Sequence, residues 1–232
     1  MVQEEQVGEK KRVAPVQTAS GDIVDAVFTI SCRSLPVDHA YALSRAIQAV
    51  LPWFATEPHT GLHIIRAAES GSGWMRPEDP LTLLHLSQRT RLVLRLPEHC
   101  LDAAATLLGQ TLDINGHSLR ADRLTLRPLS RITTLISHCV LLSDCGSESD
   151  FRLTATAQLD ALGIYPREML CGLTTSIATP GHTLQTRSLM LAGLTREQSV
   201  LLQQQGLGTE RKLGCGLFIP HKDIGDLRSG SD

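Results

Sequence analysis

The feature that most constrains the fold is a succession of patterns that occurs twice along the 232 residues. Each pass runs short apolar strand, helix, extended runs, second helix, then closing strand or hairpin. In the first pass, Ile23-Val24-Asp25-Ala26-Val27-Phe28-Thr29-Ile30 is β-branched and short, as a buried strand is. Ala40, Leu43, Ile47 and Leu51 then repeat at helical spacing, with Pro36 expected in the first turn, Asp38 at the positive end of the helix dipole and Pro52 as the stop. Residues 61–68 and 81–86 read as extended, separated by an excursion at 71–77. From Arg89 to Leu96 the side chains alternate, placing Leu92, Leu94 and Leu96 on one face and Arg89, Arg91 and Arg95 on the other. Residues 97–108 form an amphipathic helix ended by Gly109, and 111–114 pairs with 118–127 across Asn115-Gly116, a type I′ turn sequence.

The second pass begins with a strand at 132–142 and a helix at 149–162. A hairpin follows, 169–178 with 183–191, turning at Thr179-Pro180-Gly181-His182. The next helix opens on a Thr195/Gln198 capping box and stops at Gly206, ahead of a strand at 214–220. The expected class is α+β, two tandem ferredoxin-like (RRM-like) βαββαβ domains at 22–127 and 131–222. A mobile arm at 1–21 and a tail at 223–232 flank them.

Composition narrows the function. A 42% hydrophobic content supports a buried core, and no stretch approaches the roughly 20 apolar residues of a membrane span. With a polar, charged N-terminus the chain reads as cytoplasmic, with no membrane partner. Six cysteines without a C-x-x-C pair argue against a disulfide framework and a zinc site. No H-E-x-x-H or G-x-S-x-G occurs, and His59 and His63 straddle Gly61 rather than sharing a helix face, so no metal or cofactor is expected. A net charge of -2 confines any nucleic-acid role to local basic surfaces. Aromatics, 3% of residues, are too few for a base-stacking sheet, so if RNA is bound, arginine and backbone must do most of it.

Arg89 and Arg91 fit such a role, since two residues of strand advance about 6.6 Å, close to the separation of backbone phosphates. The same pattern also describes an ordinary solvated sheet face. The run from Gly206 to Pro220 (Gly206, Gly208, Gly214 and Gly216 around Arg211 and Lys212) reads as a loop turning successive N–H groups toward a phosphate, or as a turn feeding a strand. It is not a Walker loop, because Lys212 lies between Arg211 and Leu213. Nor is it a dinucleotide fingerprint, because it follows a helix and enters a strand. His39, near the start of the first helix, is disfavoured as imidazolium by the dipole and so is suited to act as a base. A lone helical histidine is equally a packed or surface residue.

The helix–glycine loop–strand order resembles the glycine-rich loop near the C-terminus of the CRISPR-associated repeat-processing endoribonucleases of the repeat-associated mysterious protein (RAMP) superfamily. Likeness to their myxobacterial-type branch extends to Cys32-Arg33-Ser34-Leu35-Pro36-Val37-Asp38-His39-Ala40, Gly73-Trp74-Met75-Arg76-Pro77 and Thr186-Arg187-Ser188-Leu189-Met190-Leu191. The resemblance spans roughly residues 22 to 222. It implies a metal-independent endoribonuclease that cleaves precursor CRISPR repeat RNA by 2′-hydroxyl attack and joins other subunits of an effector complex. It places the catalytic histidine at His39 and leaves Tyr41 and Ser34 as candidates to orient His39 or the phosphate. RNA contacts are expected from Arg76, Arg89, Arg91, Arg187, Gly206, Gly208, Arg211, Lys212, Gly214 and Gly216. Two other readings stay open: a non-catalytic RNA-binding or scaffold subunit of the same superfamily, and a small-molecule-sensing domain, which needs neither Arg211 and Lys212 nor an arginine stripe.

Overall fold

The computed structural model describes residues 22–66, 77, 79, 82–142 and 146–221. The arm at 1–21, most of the 71–77 excursion including Arg76, and the tail from 223 lie outside the described residues. The N-terminal half runs β1 (Ile23–Ser31), β2 (Ser34–Pro36), α1 (Ala40–Val50), α2 (Trp53–Thr56), β3 (Gly61–Leu62), β4 (Leu83–His85), β5 (Arg91–Pro97), α3 (Leu101–Ala104), β6 (Thr111–Ile114) and β7 (His117–Pro128). The C-terminal half continues with β8 (Leu135–Val140), α4 (Glu148–Ala161), β9 (Glu168–Thr179), β10 (His182–Ala192), α5 (Arg196–Gln205) and β11 (Ile219–Pro220). The class is α+β: antiparallel sheets ordered β3-β5-β1-β7-β6 and β11-β8-β10-β9, with β2 and β4 as a separate pair.

Alternation carries the first core. Val24, Ala26 and Phe28 of β1 lie opposite Leu96, Leu94 and Leu92 of β5, and these leucines are fully buried against Leu43 and Ile47 of α1. A second core gathers Leu135, Phe151, Ala155, Leu189, Leu191, Leu202 and Phe218. Between them a third cluster joins the halves: Ala40 of α1, Cys139 of β8, Ile177 of β9 and Cys215 of the glycine loop.

Four expected elements are redrawn. Pro36 ends β2 instead of opening the helix, because β2 pairs with β4 and Val37 N–H continues the ladder to Thr82 O at 2.9 Å, holding the chain extended until α1 starts at Ala40. Of the strand expected over 61–68, the described residues pair as β3, with His63 N–H adding one bond to Val93 O at 3.0 Å, and 67–68 lie outside the described residues. The helix expected over 97–108 is one α-turn between two 3₁₀ turns, ended by Gly109 at φ 78°. The strand expected over 214–220 shortens to β11, because the residues before it fold back onto β8.

Candidate active site

His39 is the N-cap of α1, at φ −101° and ψ −6°, and is wholly enclosed, with 0% exposure. Its Nδ1 lies 2.8 Å from the carbonyl oxygen of Pro36. A carbonyl only accepts, so Nδ1 carries the hydrogen and, in the neutral ring, Nε2 carries the lone pair. Tyr41 sits in the first turn of α1, half-buried. Ser34 sits in β2, its Oγ 3.4 Å from Nδ1 of His117, a histidine 83 residues away that sequence spacing does not single out.

Around this helix start the glycine loop closes in. Gly206, Gly208, Gly214 and Gly216 all have positive φ, from 68° to 90°, as expected of glycines at such turns. Their amides, however, are spent inside the protein. Gly206 N–H donates to Leu202 O, Gly208 N–H to Gln158 Oε1 at 3.0 Å, Gly214 N–H to Arg211 O and Gly216 N–H to Cys139 O at 2.6 Å. The expectation of N–H groups turned toward one phosphate is therefore corrected. The glycines serve close approach instead: a side chain at Gly214 would run into Ile64 and the carbonyl of Leu62, and one at Gly208 into the carbonyl of Leu141.

Both loop cations have protein acceptors as well. Arg211 folds inward and donates through Nη1 to Gln205 O at the end of α5, and burial beside Arg95 pushes its pKa down to about 10. Lys212 reaches across the halves to Ala55 O, 2.7 Å from its Nζ; burial lowers its pKa, partly offset by Glu57. Arg187 is held in the C-terminal half by Glu148 at 3.1 Å and by the Gly172 carbonyl at 3.0 Å.

The arginines expected on one face of a strand from Arg89 to Leu96 divide, and β5 begins only at Arg91, because the chain turns at 87–90 (Thr90 N–H to Ser87 O, 3.0 Å) and leaves Arg89 in that turn. Arg95 is 1% exposed. Its Nε lies 2.8 Å from Asp25 Oδ1, and its Nη1 donates to the carbonyls of Gln203 and Phe218. It pins the two halves together and is no part of a solvent stripe. Against the burial that would raise it, neighbouring His63 and Arg95 hold the Asp25 carboxyl far below the usual carboxylate range. Arg89 is exposed and Arg91 half-buried, and both line a cleft of about 570 Å³ with His63, Arg66 and Arg127 of the N-terminal half and Ile219 and Pro220 of β11. Sequence order hides this grouping, since Arg66 and Arg127 come from segments far apart in the chain.

Among the described residues, Glu57, His99 and Cys100 place one ligand atom each within 4.8 Å of one another, with Glu57 and His99 paired at 3.8 Å. They lie at the ends of α2 and α3.

The Cas6 family, described as Cas6 Crispr, matches residues 24–223. The chain is 28% identical over 197 residues to the CRISPR-associated endonuclease Cas6 of Myxococcus xanthus strain DK1622, covering 85% of this chain and 81% of that one. A solved CRISPR associated protein Cas6 superposes with a TM-score of 0.57 at 8% identity, over 86% of this chain and 99% of the other. A Cas6-related protein from Pyrococcus furiosus gives 0.53 at 11% identity, over 86% and 98%. A RAMP protein binding different RNA substrates gives 0.53 at 13%, over 84% and 98%. These structures share the chain's α+β fold, with its paired antiparallel sheets. With the match covering residues 24–223, the chain belongs to the Cas6 family, as the resemblance at residues 32–40, 73–77, 186–191 and 206–220 implies.

Proposed function

We propose that this chain is a metal-independent endoribonuclease that binds CRISPR repeat RNA, cleaves the precursor transcript into guide RNAs, and remains with them as a cytoplasmic subunit of an RNA-guided effector complex. Each sheet with its helices is one ferredoxin-like domain, 22–127 and 131–222. The sheet orders support this: β11-β8-β10-β9 and β3-β5-β1-β7 both put the first and third strands of a βαββαβ unit at the centre. The relative from Myxococcus xanthus is named an endonuclease, and one structural neighbour is described as binding RNA.

The observation that carries the reading is the His39 ring, held by Pro36 O in the tautomer that leaves Nε2 as a base. Nε2 takes the proton of a ribose 2′-hydroxyl, the 2′-oxygen bonds to the adjacent phosphorus, and the bond from phosphorus to the 5′-oxygen breaks. The products are a 2′,3′-cyclic phosphate and, once the departing oxygen is protonated, a 5′-hydroxyl. Arg89 and Arg91 track the backbone along the cleft, with Arg76 and Arg187 as further contacts. Lys212, released from the Ala55 carbonyl, meets the charge developing on the phosphorane. Gly206, Gly208, Gly214, Gly216 and the inward Arg211 shape the loop that presents it. Tyr41 and Ser34 are the candidates to orient His39 or the scissile phosphate. Since the ring is enclosed without RNA, binding must uncover Nε2.

That enclosure is also the observation favouring a non-catalytic RNA-binding subunit. The two readings separate on incubating the purified protein with a labelled transcript of the host's CRISPR repeat in EDTA. Cleavage to ends bearing a cyclic phosphate and a 5′-hydroxyl is expected; RNA that is bound but left intact overturns the nuclease reading.

A further inference from the structure

We infer that Asp38 is a positioning residue that ties His39 to the C-terminal half through the edge of β9; the inference rests on His39 being the base. Asp38 immediately precedes His39, and its Oδ2 accepts a hydrogen bond from the backbone N–H of Ala178, 140 residues away, at 2.8 Å. The geometry of the hairpin explains why that N–H is available. Thr179 and His182 flank the two-residue Pro180-Gly181 turn as opposed partners, and Ala178 and Thr183 form the next pair. In an antiparallel hairpin of this length the flanking pair is hydrogen-bonded and the next pair is not, so Ala178 N–H points away from β10. β9 is the outer strand of its sheet, so no further strand takes that N–H. Asp38 takes it, as a charged acceptor that makes a stronger bond than a neutral one.

Two residues after Asp38 and one before Ala178 the contact is repeated in apolar form. Ile177, fully buried, packs in one cluster with Ala40, the first residue of α1, and with Cys215 of the glycine loop. Polar and apolar contacts on both sides of His39 thus fix the helix start against the β9–β10 hairpin. The Pro36 carbonyl sets the tilt of the ring. Asp38 sets where its backbone stands relative to the half that carries the glycine loop. A base must meet the 2′-hydroxyl within hydrogen-bond distance, and a misplacement of about 1 Å costs on the order of 100-fold in rate.

The test is single-turnover cleavage of the labelled repeat transcript at saturating protein, with RNA affinity and thermal melting measured in parallel, for Asp38→Ala, Asp38→Asn, Ala178→Pro and His39→Ala. Asp38→Ala removes the acceptor and is expected to slow cleavage by about 10- to 100-fold with affinity little changed. Asp38→Asn keeps a carbonyl oxygen for Ala178 N–H and is expected to recover most of the rate. Ala178→Pro removes the donor without touching α1, at an edge position that tolerates proline, and is expected to slow cleavage as Asp38→Ala does. Adding it to Asp38→Ala should cost nothing more. Wild-type rates for Asp38→Ala, or equal losses for Asp38→Ala and Asp38→Asn, overturn the positioning role. A His39→Ala protein that cleaves normally overturns instead the reading on which it rests.

Discussion

Arg95 shows how far a residue's pattern carries. Its place in the alternation puts it opposite Leu92, Leu94 and Leu96, and that is where it lies. Alternation cannot say whether the opposite face meets water, and here the C-terminal half covers it. Arg95 is 1% exposed, with both Asp25 oxygens at 2.8 and 3.2 Å and two carbonyls of the other half as acceptors. Removing one partner of a buried pair leaves the other charge uncompensated, so Arg95→Met is expected to cost about 3–5 kcal/mol in denaturant unfolding. A loss below about 1 kcal/mol, the scale of a surface pair, contradicts the pinning role. Arg211 follows the same logic: its charge is plain in the sequence, and its inward path to Gln205 O is not.

At the scale of elements, whatever is encoded by neighbours a few residues apart was legible. The Thr195/Gln198 capping box forms with both bonds at 3.1 Å, and Asn115-Gly116 turns at φ 52° and 84°. The glycine loop follows α5, which Gly206 caps, as the sequence order implies. Where its amides go was not legible, because Cys139 O and the Gln158 side chain belong to β8 and α4. Gly216 tests the tight-packing role. At φ 68°, and with the Leu207 carbonyl where a Cβ would stand, Gly216→Ala carries the roughly 1–2 kcal/mol left-handed penalty plus the clash. Its melting temperature should fall clearly; an unchanged one contradicts the packing. For the cleft, Arg89→Glu with Arg91→Glu should weaken repeat-RNA binding and lower its salt slope by about one unit per lost phosphate contact. Normal affinity and slope make this face ordinary solvated surface.

Over the whole molecule the twofold succession of elements was readable, and the junction between the halves was not, since its contacts join residues about a hundred positions apart. Two histidines there couple stability to pH. Burial, then Arg66 and His221, push the pKa of His138 down to about 4, and burial lowers that of His63. The unfolded chain binds these protons near pH 6.5, so between about 6.5 and 4 it holds more protons than the folded one. Stability is therefore complete above that window and falls as pH drops through it. The melting temperature should decrease from pH 7 to 5, and less steeply for His138→Gln; identical slopes contradict the assignment. The proposed mechanism draws on both halves too, since the helix that starts beside His39 packs against β9 and the glycine loop. The most direct measurement is single-turnover cleavage of a repeat transcript by wild type and His39→Ala, with RNA binding in parallel. The buried ring leaves a space in the variant, so its folding is checked by circular dichroism at the assay temperature. A general base predicts cleavage slowed by about 100- to 10,000-fold with binding nearly intact; equal cleavage by the two proteins contradicts it.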